Sequence, residues 1–379
     1  FFREPDSDRR GARPSGGLLA MAARKRGNEV TTGIGARPLL EVQNLQIAYE
    51  KKGMLQREEP APAVWNASFT LAASETLALV GESGSGKTTI ARSIAGLMIA
   101  RKGQILFNNQ DINLPIGRRR RDLVRPIQYV FQNPDSSLNP RRKISYSLGR
   151  PLEIFFGLSG QKKRDRMTEL LTSVDLDSNY LDRFPNQLSG GEVQRVAIAQ
   201  ALAAEPQLLL CDEIVSALDV SVQANILDLL KELQKKHGIA YLFIAHDLAV
   251  VRWLADRVVV LYQGRIMESG TPEDIFTGPF QPYTEMLLES IPEPEPDRSL
   301  LSASDSSADL LGDEGQRDCC PFVGRCPYEI EAVCDREAPK VQNVSKTHAI
   351  HCHIPIPELI QKQDSRNSGS AGSSAVEQR

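Results

Sequence analysis

The 379 residues show no strong excess of either charge: 45 Lys and Arg stand against 48 Asp and Glu, a formal net charge of -3. A dedicated nucleic-acid binder usually carries a marked basic excess, so that class is disfavoured. Long apolar runs are missing as well. No stretch reaches the roughly 18–20 uncharged apolar residues of a membrane helix. The best candidate, Ala240 to Tyr262, is broken by His246, Asp247, Arg252, Asp256 and Arg257. A signal peptide is also lacking, which predicts a chain that stays in the cytosol. The first residue is Phe1 rather than Met, so residues upstream are expected. What remains is 41% hydrophobic and 25% charged, the balance of a globular protein with a real core, which excludes a wholly disordered or collagen-like chain. The length allows two to three domains.

Residues 1–38 are rich in Arg, Gly, Ser and Pro without sustained periodicity, and read as a flexible leader or linker. Structure is expected to begin with the alternating strand Leu39 to Tyr49, followed by a charged loop over residues 50–62. Strands also fit Thr76 to Val80, Gln104 to Phe107, Ile127 to Phe131, Leu208 to Cys211, Tyr241 to Ala245 and Val258 to Tyr262. Helices fit Thr88 to Leu97, Lys162 to Val174, Gly190 to Ala204, Val222 to Lys236 and Leu248 to Leu254. Strands alternating with helices predict an α/β core, with a helical insert over about 141–188. A Pro/Glu/Asp/Ser-rich linker is expected at 291–316. A compact cysteine-bearing module should follow at 317–357, then a disordered tail at 358–379.

The strand ending at Val80 runs into Gly81-Glu82-Ser83-Gly84-Ser85-Gly86-Lys87-Thr88, the G-x-x-x-x-G-K-[ST] pattern between a strand and a helix. Glycines let the backbone wrap a phosphate chain with its N–H groups inward, and the helix that follows adds its positive N-terminal end. Lys87 is predicted to reach the terminal phosphates of ATP and the Thr88 hydroxyl to ligate Mg²⁺. Far along the chain the apolar strand Leu208 to Cys211 ends in Asp212 and Glu213. Asp212 is placed to hold Mg²⁺ and Glu213 to polarise the attacking water. Alone, such a carboxylate pair could be a strand end capping a helix; the phosphate loop tips the choice.

With these residues in order, the span of about 39–290 resembles the ATP-binding cassette family. Gln132 resembles the family's Q-loop glutamine, Leu188-Ser189-Gly190-Gly191-Glu192 its signature, Ser216-Ala217-Leu218-Asp219 its D-loop and His246 its switch histidine. The resemblance implies an α/β fold with a β-subdomain and a helical subdomain. Tyr49 would stack on adenine; Gly81, Ser83, Gly84, Ser85, Gly86, Lys87, Thr88 and Thr89 would hold the phosphates. Thr88, Gln132 and Asp212 would surround Mg²⁺, and Glu213, His246 and Gln132 would act in hydrolysis. It further implies a head-to-tail pair of cassettes, in which Ser189, Gly190, Gly191 and Asp219 of one chain meet the nucleotide of the other. Two positions depart from the pattern: Ile214 stands where the family has Pro, and Glu192 where Gln is usual. Neither removes a metal ligand or Glu213, so hydrolysis is still expected.

Within the family, Asn133-Pro134-Asp135-Ser136-Ser137-Leu138-Asn139-Pro140-Arg141, His246-Asp247-Leu248-Ala249-Val250-Val251 and Pro282-Tyr283-Thr284 resemble the oligopeptide/dipeptide importer group. The short insert lacks the heptads of the chromosome-maintenance relatives. That resemblance implies a second cassette, two integral membrane permease subunits, an external substrate-binding protein and a place on the cytoplasmic face of the inner membrane, with no nucleic acid. A soluble regulatory ATPase with a redox-sensing module, or an importer of a nickel chelate or glutathione, is the alternative. The basic runs Arg118 to Arg121 and Arg141 to Lys143 read as solvated surface, or as contacts to anionic headgroups.

Five of the six cysteines lie in the last quarter. In a cytosolic chain clustered thiols favour metal over disulfides. Cys320, Cys326, Cys334 and Cys352 suit either an iron–sulfur cluster or zinc, though tight C-x₂-C knuckles are absent. Cys319, His348, His351 and His353 are possible substitutes, and reduced free thiols the third option. Resemblance to the importer group implies a [4Fe–4S] cluster. Cys211 is expected to be a small core residue.

Overall fold

A computed structural model describes residues 37–49, 62–132, 138–290 and 319–373. The predicted leader, the 50–61 part of the first loop, the first half of the segment after Gln132 and the 291–316 linker fall outside them, as do residues 374–379.

The chain begins with β1 (Leu40–Ala48), β2 (Pro62–Leu71) and β3 (Thr76–Val80), then α1 (Lys87–Ile94), β4 (Lys102–Phe107), β5 (Gln110–Asp111), the single turn α2 (Arg121–Val124) and β6 (Ile127–Val130). Two helices, α3 (Ile144–Phe156) and α4 (Gly160–Thr172), occupy the predicted insert. They are followed by α5 (Gly190–Leu202), β7 (Leu208–Asp212), α6 (Val220–His237), β8 (Ala240–Ile244), α7 (Leu248–Leu254), β9 (Arg257–Tyr262), β10 (Arg265–Gly270), α8 (Pro272–Thr277) and α9 (Pro282–Glu289). The last elements are the short strands β11 (Val341–Asn343) and β12 (Ala349–His351) and the helix α10 (Ile356–Ser373).

Among the described residues the strands form two sheets. The smaller, β2-β1-β4-β5, is antiparallel. Along β2 buried and open positions alternate, as expected for a strand with one face on a core. The larger runs β11-β12-β10-β9-β3-β8-β7-β6. Its centre, β9-β3-β8-β7-β6, is parallel. Every residue of β3, β7 and β8 is buried, which is why these segments read as unbroken apolar runs: helices cover both faces of a parallel sheet. In such a sheet ligands gather beyond the carboxyl ends of the strands. The ends of β3, β7 and β8 therefore fix where Gly81, Glu213 and His246 come out.

Two readings of the sequence are corrected. Residues 358–373 are helical rather than a tail, because α10 has partners: Leu359 is fully buried, and the Gln363 amide donates to Phe280 O at 2.8 Å and accepts from Phe280 N at 3.2 Å. The low-complexity composition hid these two anchors. The Arg118 to Arg121 run is not all solvated surface, since Arg119 is buried and donates to the carbonyls of Ile94 and Leu114 at 2.7 and 2.9 Å. It closes the C-terminal end of α1, where cations are favoured.

The C-terminal segment is built onto the larger sheet. β12 pairs antiparallel with β10. Behind that pairing His348 Nε2 lies 2.6 Å from Glu268 Oε1, both side chains buried. Burial pushes the Glu268 carboxyl up, opposed by its bonds to His348, Thr284 and the Gln281 N–H.

Candidate functional site

The phosphate loop is shaped by its glycines. Gly81 and Gly86 have φ of 143° and 100°, where an L side chain is strained. A Cβ on Gly81 would also meet Leu261 O at 2.0 Å. Inside the turn, Lys87 Nζ donates to Gly81 O and Glu82 O, each at 2.7 Å, and to Ser85 Oγ at 3.3 Å. Burial lowers the Lys87 pKa, while the carboxylates of Glu213, Asp212 and Glu82 counteract the shift.

At the end of β7 the two acids face different partners. Asp212 is buried and accepts from Thr88 Oγ1 at 2.9 Å on one oxygen and from Tyr129 OH at 2.7 Å on the other. Burial is the largest influence raising the Tyr129 pKa, and its bond to Asp212 adds to it. Glu213 has φ 48°, a left-handed conformation that a non-glycine residue holds only under constraint. Its N–H donates to Ile244 O at 3.1 Å, and Ile214 beside it is buried. Ile214 thus spends the position on core packing. Gln132 Nε2 donates to Glu213 Oε2 at 2.7 Å, and His246 Nδ1 lies 3.8 Å from the same oxygen. The structure therefore gathers Lys87, Thr88, Asp212, Glu213, Gln132 and His246 around one loop. Thr88 and Asp212 present the hard oxygen donors that suit Mg²⁺. Tyr49 is half exposed at the end of β1, its hydroxyl 2.8 Å from Thr89 Oγ1. Ser83 and Gly84 are open to solvent, as an approaching ligand requires.

The signature stands apart. Among the described residues no hydrogen bond joins Ser189, Gly190, Gly191 or Asp219 to the phosphate loop. Ser189 caps α5: its Oγ accepts from Glu192 N at 3.4 Å, and Glu192 accepts from Ser189 N at 2.7 Å and Ser189 Oγ at 2.9 Å. This reciprocal pattern is a capping box. Glu192 also accepts from Tyr180 OH. A Cβ on Gly191 would meet Val222 Cγ1 at 2.6 Å, so α5 starts directly against α6. Asp219 is exposed at the start of α6.

Cys320, Cys326, Cys334 and Cys352 share one neighbourhood: Cys320 feels the charge of Cys334, Cys352 and Cys319, and Cys326 that of Cys352, Cys320 and Cys334. Burial pushes both thiols up, Cys320 to about 11 and Cys326 to about 12. Among the described residues, however, no group of three or more His, Cys, Asp or Glu is arranged to hold a metal ion. Two of the candidate substitutes are engaged elsewhere: His348 faces Glu268, and His353 Nε2 is 3.0 Å from Glu337 O. Cys211 lies fully buried in β7.

Three contributors escaped the sequence reading. Tyr129 was visible only as a strand residue. Tyr283, whose hydroxyl accepts from Glu82 N at 2.8 Å, sits within the quoted Pro282-Tyr283-Thr284. Arg325, bonded to Glu82, had no signal beyond its place beside Cys326.

Comparison with known proteins agrees with this geometry. Residues 64–216 match the ABC transporter family and residues 267–334 the oligopeptide/dipeptide transporter C-terminal region. A Brucella ovis ATP-binding protein named for peptide import is 41% identical over 320 residues, 83% of this chain and 97% of that protein. The oligopeptide transport ATP-binding protein OppF of Haemophilus influenzae is 37% identical over 83% of this chain and 96% of its own length. The glutathione import ATP-binding protein GsiA of Pectobacterium atrosepticum is 40% identical over 85% of this chain and 49% of itself. A dimeric ATP-binding cassette solved in a post-hydrolysis state with ADP and Pi is 29% identical, with a TM-score of 0.54 over 62% of this chain and 99% of that one. The fold and site are those of an ABC-type ATPase. The chain belongs to the ABC transporter ATP-binding subunits, in the branch that carries the oligopeptide/dipeptide transporter C-terminal region.

Proposed function

We propose that the chain powers an importer of di- and oligopeptides by ATP-driven closure of two cassettes beneath two membrane permease subunits, fed by an external substrate-binding protein. The observation that carries this is the assembled phosphate site at the end of the parallel strands, with the oligopeptide-branch C-terminal region packed directly on it. No helix among the described residues is long and apolar enough to cross a membrane; in this reading the permease subunits supply the membrane path. The subunit is placed at the cytoplasmic face of the inner membrane by this reading.

Lys87 holds the terminal phosphates, and the loop N–H groups with the α1 N-terminus neutralise the rest. Mg²⁺, held by Thr88, Asp212 and Gln132, would offset the phosphate charge. Glu213 accepts the proton of the attacking water, and His246 and Gln132 fix its carboxylate. Tyr49 carries the adenine. Ser189, Gly190 and Gly191 at the start of α5 and Asp219 at the start of α6 serve the partner cassette's nucleotide in this reading, since among the described residues none of them bonds to this chain's own loop. Closure draws on contacts that ATP makes with both cassettes at once.

For the thiols, the shared neighbourhood of Cys320, Cys326, Cys334 and Cys352 supports a [4Fe–4S] cluster, with zinc as the competing occupant. The described side chains do not form a ready ligand set, so no step of hydrolysis is routed through it. Iron, sulfide and zinc analysis of anaerobically purified protein decides this: about four iron and four sulfide per chain supports the cluster, stoichiometric zinc rejects it.

The transport reading is tested by co-expressing the chain with its membrane and binding-protein partners and measuring ATP-dependent peptide uptake into vesicles. ATPase activity that never associates with membrane subunits would replace it with a regulatory ATPase.

A further inference from the structure

Glu82, the second residue of the phosphate loop, is held at each of its polar positions by a different part of the chain. Its carbonyl accepts from Lys87 Nζ and its N–H donates to Tyr283 OH. Its carboxylate accepts from Arg325 twice, Nη2 to Oε1 at 2.9 Å and Nη1 to Oε2 at 3.1 Å. Arg325 comes from the cysteine segment, immediately before Cys326. Its guanidinium also donates to Tyr262 OH at 2.9 Å.

The arginine is aimed by its surroundings. Phe322, three residues earlier, is fully buried and meets Tyr262 and Tyr283 at ring-centroid distances of 5.4 and 5.6 Å. Gly324 turns the chain with φ 79°, and its N–H donates to Glu329 Oε2 at 2.6 Å. The chain leading into Arg325 is thus held at Phe322 and Gly324, and the guanidinium sits 5.5 Å from the Tyr262 ring. The Arg325 and Glu82 side chains are 46% and 38% exposed. A pair that open adds little to global stability, yet a two-pronged arginine–carboxylate contact defines geometry closely.

We infer that Arg325 is a positioning residue for the phosphate-binding loop, through which the cysteine segment sets the chain's affinity for nucleotide. This rests on reading Gly81 to Thr88 as the ATP site. With Glu82 fixed, the loop's first peptides and the carbonyl that holds Lys87 keep one arrangement, so less ordering is left for the ligand to impose. Any displacement of Cys326 is passed to Glu82 through one residue.

The test uses the full-length chain in its assembled transporter. ATP affinity by calorimetry, KM and kcat for ATP, and thermal midpoint are compared for Arg325→Ala, Arg325→Lys, Glu82→Gln and the double variant Arg325→Ala/Glu82→Gln, with Lys87→Ala as control. Arg325→Ala is expected to weaken Kd and KM roughly three- to tenfold. Its kcat should stay within about twofold and its melting temperature nearly unchanged. Lysine should rescue only in part, because it cannot form the two-pronged contact. The double variant should be no weaker than Arg325→Ala alone. Unchanged Kd and KM beside a weakened control, additive losses in the double variant, or a lowered melting temperature with normal affinity would each overturn the inference. Should Lys87→Ala itself bind ATP normally, the ATP-site reading fails, and this inference with it.

Discussion

The phosphate loop and the signature each bring glycine to a helix N-terminus, and the two are finished to different degrees. The phosphate loop is complete within one chain: Ser85 and Lys87 are buried, and Lys87 has three partners close by. The signature at Ser189 to Gly191 is satisfied only in its own cap, with Ser189 and Gly190 exposed. Both ends attract anions for the same reason. What separates them is that the loop's walls come from β3, β9 and the C-terminal segment, whereas the signature glycines stand against Leu218 and Val222, at the start of the next helix. On the proposed reading a single chain grips nucleotide at the loop, and the signature's grip needs a second cassette.

The sharpest way to separate gripping from turnover is Glu213→Gln. It keeps shape and hydrogen bonding while removing the proton acceptor, and should lower kcat by about 10²–10⁴-fold with ATP binding intact. Turnover near that of the wild type in a steady-state assay would move the catalytic role to another residue. Lys87→Ala attacks the finished site directly. Loss of its charge-assisted contacts should weaken ATP binding by roughly 10–100-fold in equilibrium titration, whatever the state of the signature.

Ser189→Arg attacks the unfinished site. Bulk and charge on the shared face should reduce ATP-dependent cassette pairing by about tenfold or more, while nucleotide binding by the isolated chain survives. Size-exclusion light scattering with the Glu213→Gln background reads both; normal pairing would mean the two-chain sandwich is wrong for this protein.

The smallest effect belongs to Glu192→Gln. The Tyr180 hydroxyl first, then the Ser189 N–H, hold the Glu192 carboxyl below its ordinary range. A depressed carboxyl pKa contributes stability above the unfolded value and loses it as pH falls through the folded one. The Gln variant should therefore be less stable by about 1 kcal/mol or less at neutral pH, and the gap should close as pH drops below about 4. A gap that persists in acid melts would assign the effect to packing instead.

How far the sequence spoke follows the same division. The parallel strands were legible because burial on both faces leaves unbroken apolar runs, and Leu248–Leu254 could be bounded because Asp247 caps it through a bond to Ala249 N at 2.8 Å. The loop glycines and the Asp212–Glu213 pair announced themselves by residue type. β2 was harder: Pro62–Leu71 carries Asn66 at φ 54° and irregular register against β1, which blurs its alternation. α10 was invisible, since its anchors are few and scattered: buried Leu359 and Gln363, and Arg366 on Glu289. Arg325 could not be found at all, because its partner lies 243 positions away and nothing local marks a cation for pairing.

The hairpin β11–β12 has a bearing on how copies of this chain avoid one another. β12 occupies the side of β10 that would otherwise end the large sheet, and the new border, Val341–Asn343, is three residues long. Short outer strands offer few free N–H and C=O groups to a neighbour, and so resist edge-to-edge aggregation. A version of the chain cut after residue 290 would make β10 the border, uncover its edge at Glu268 and Ser269, and leave the Glu268 carboxylate without its histidine. Such a fragment would be prone to stack on itself, and its failure in a solubility screen would be a matter of an uncovered sheet edge rather than of a broken nucleotide site.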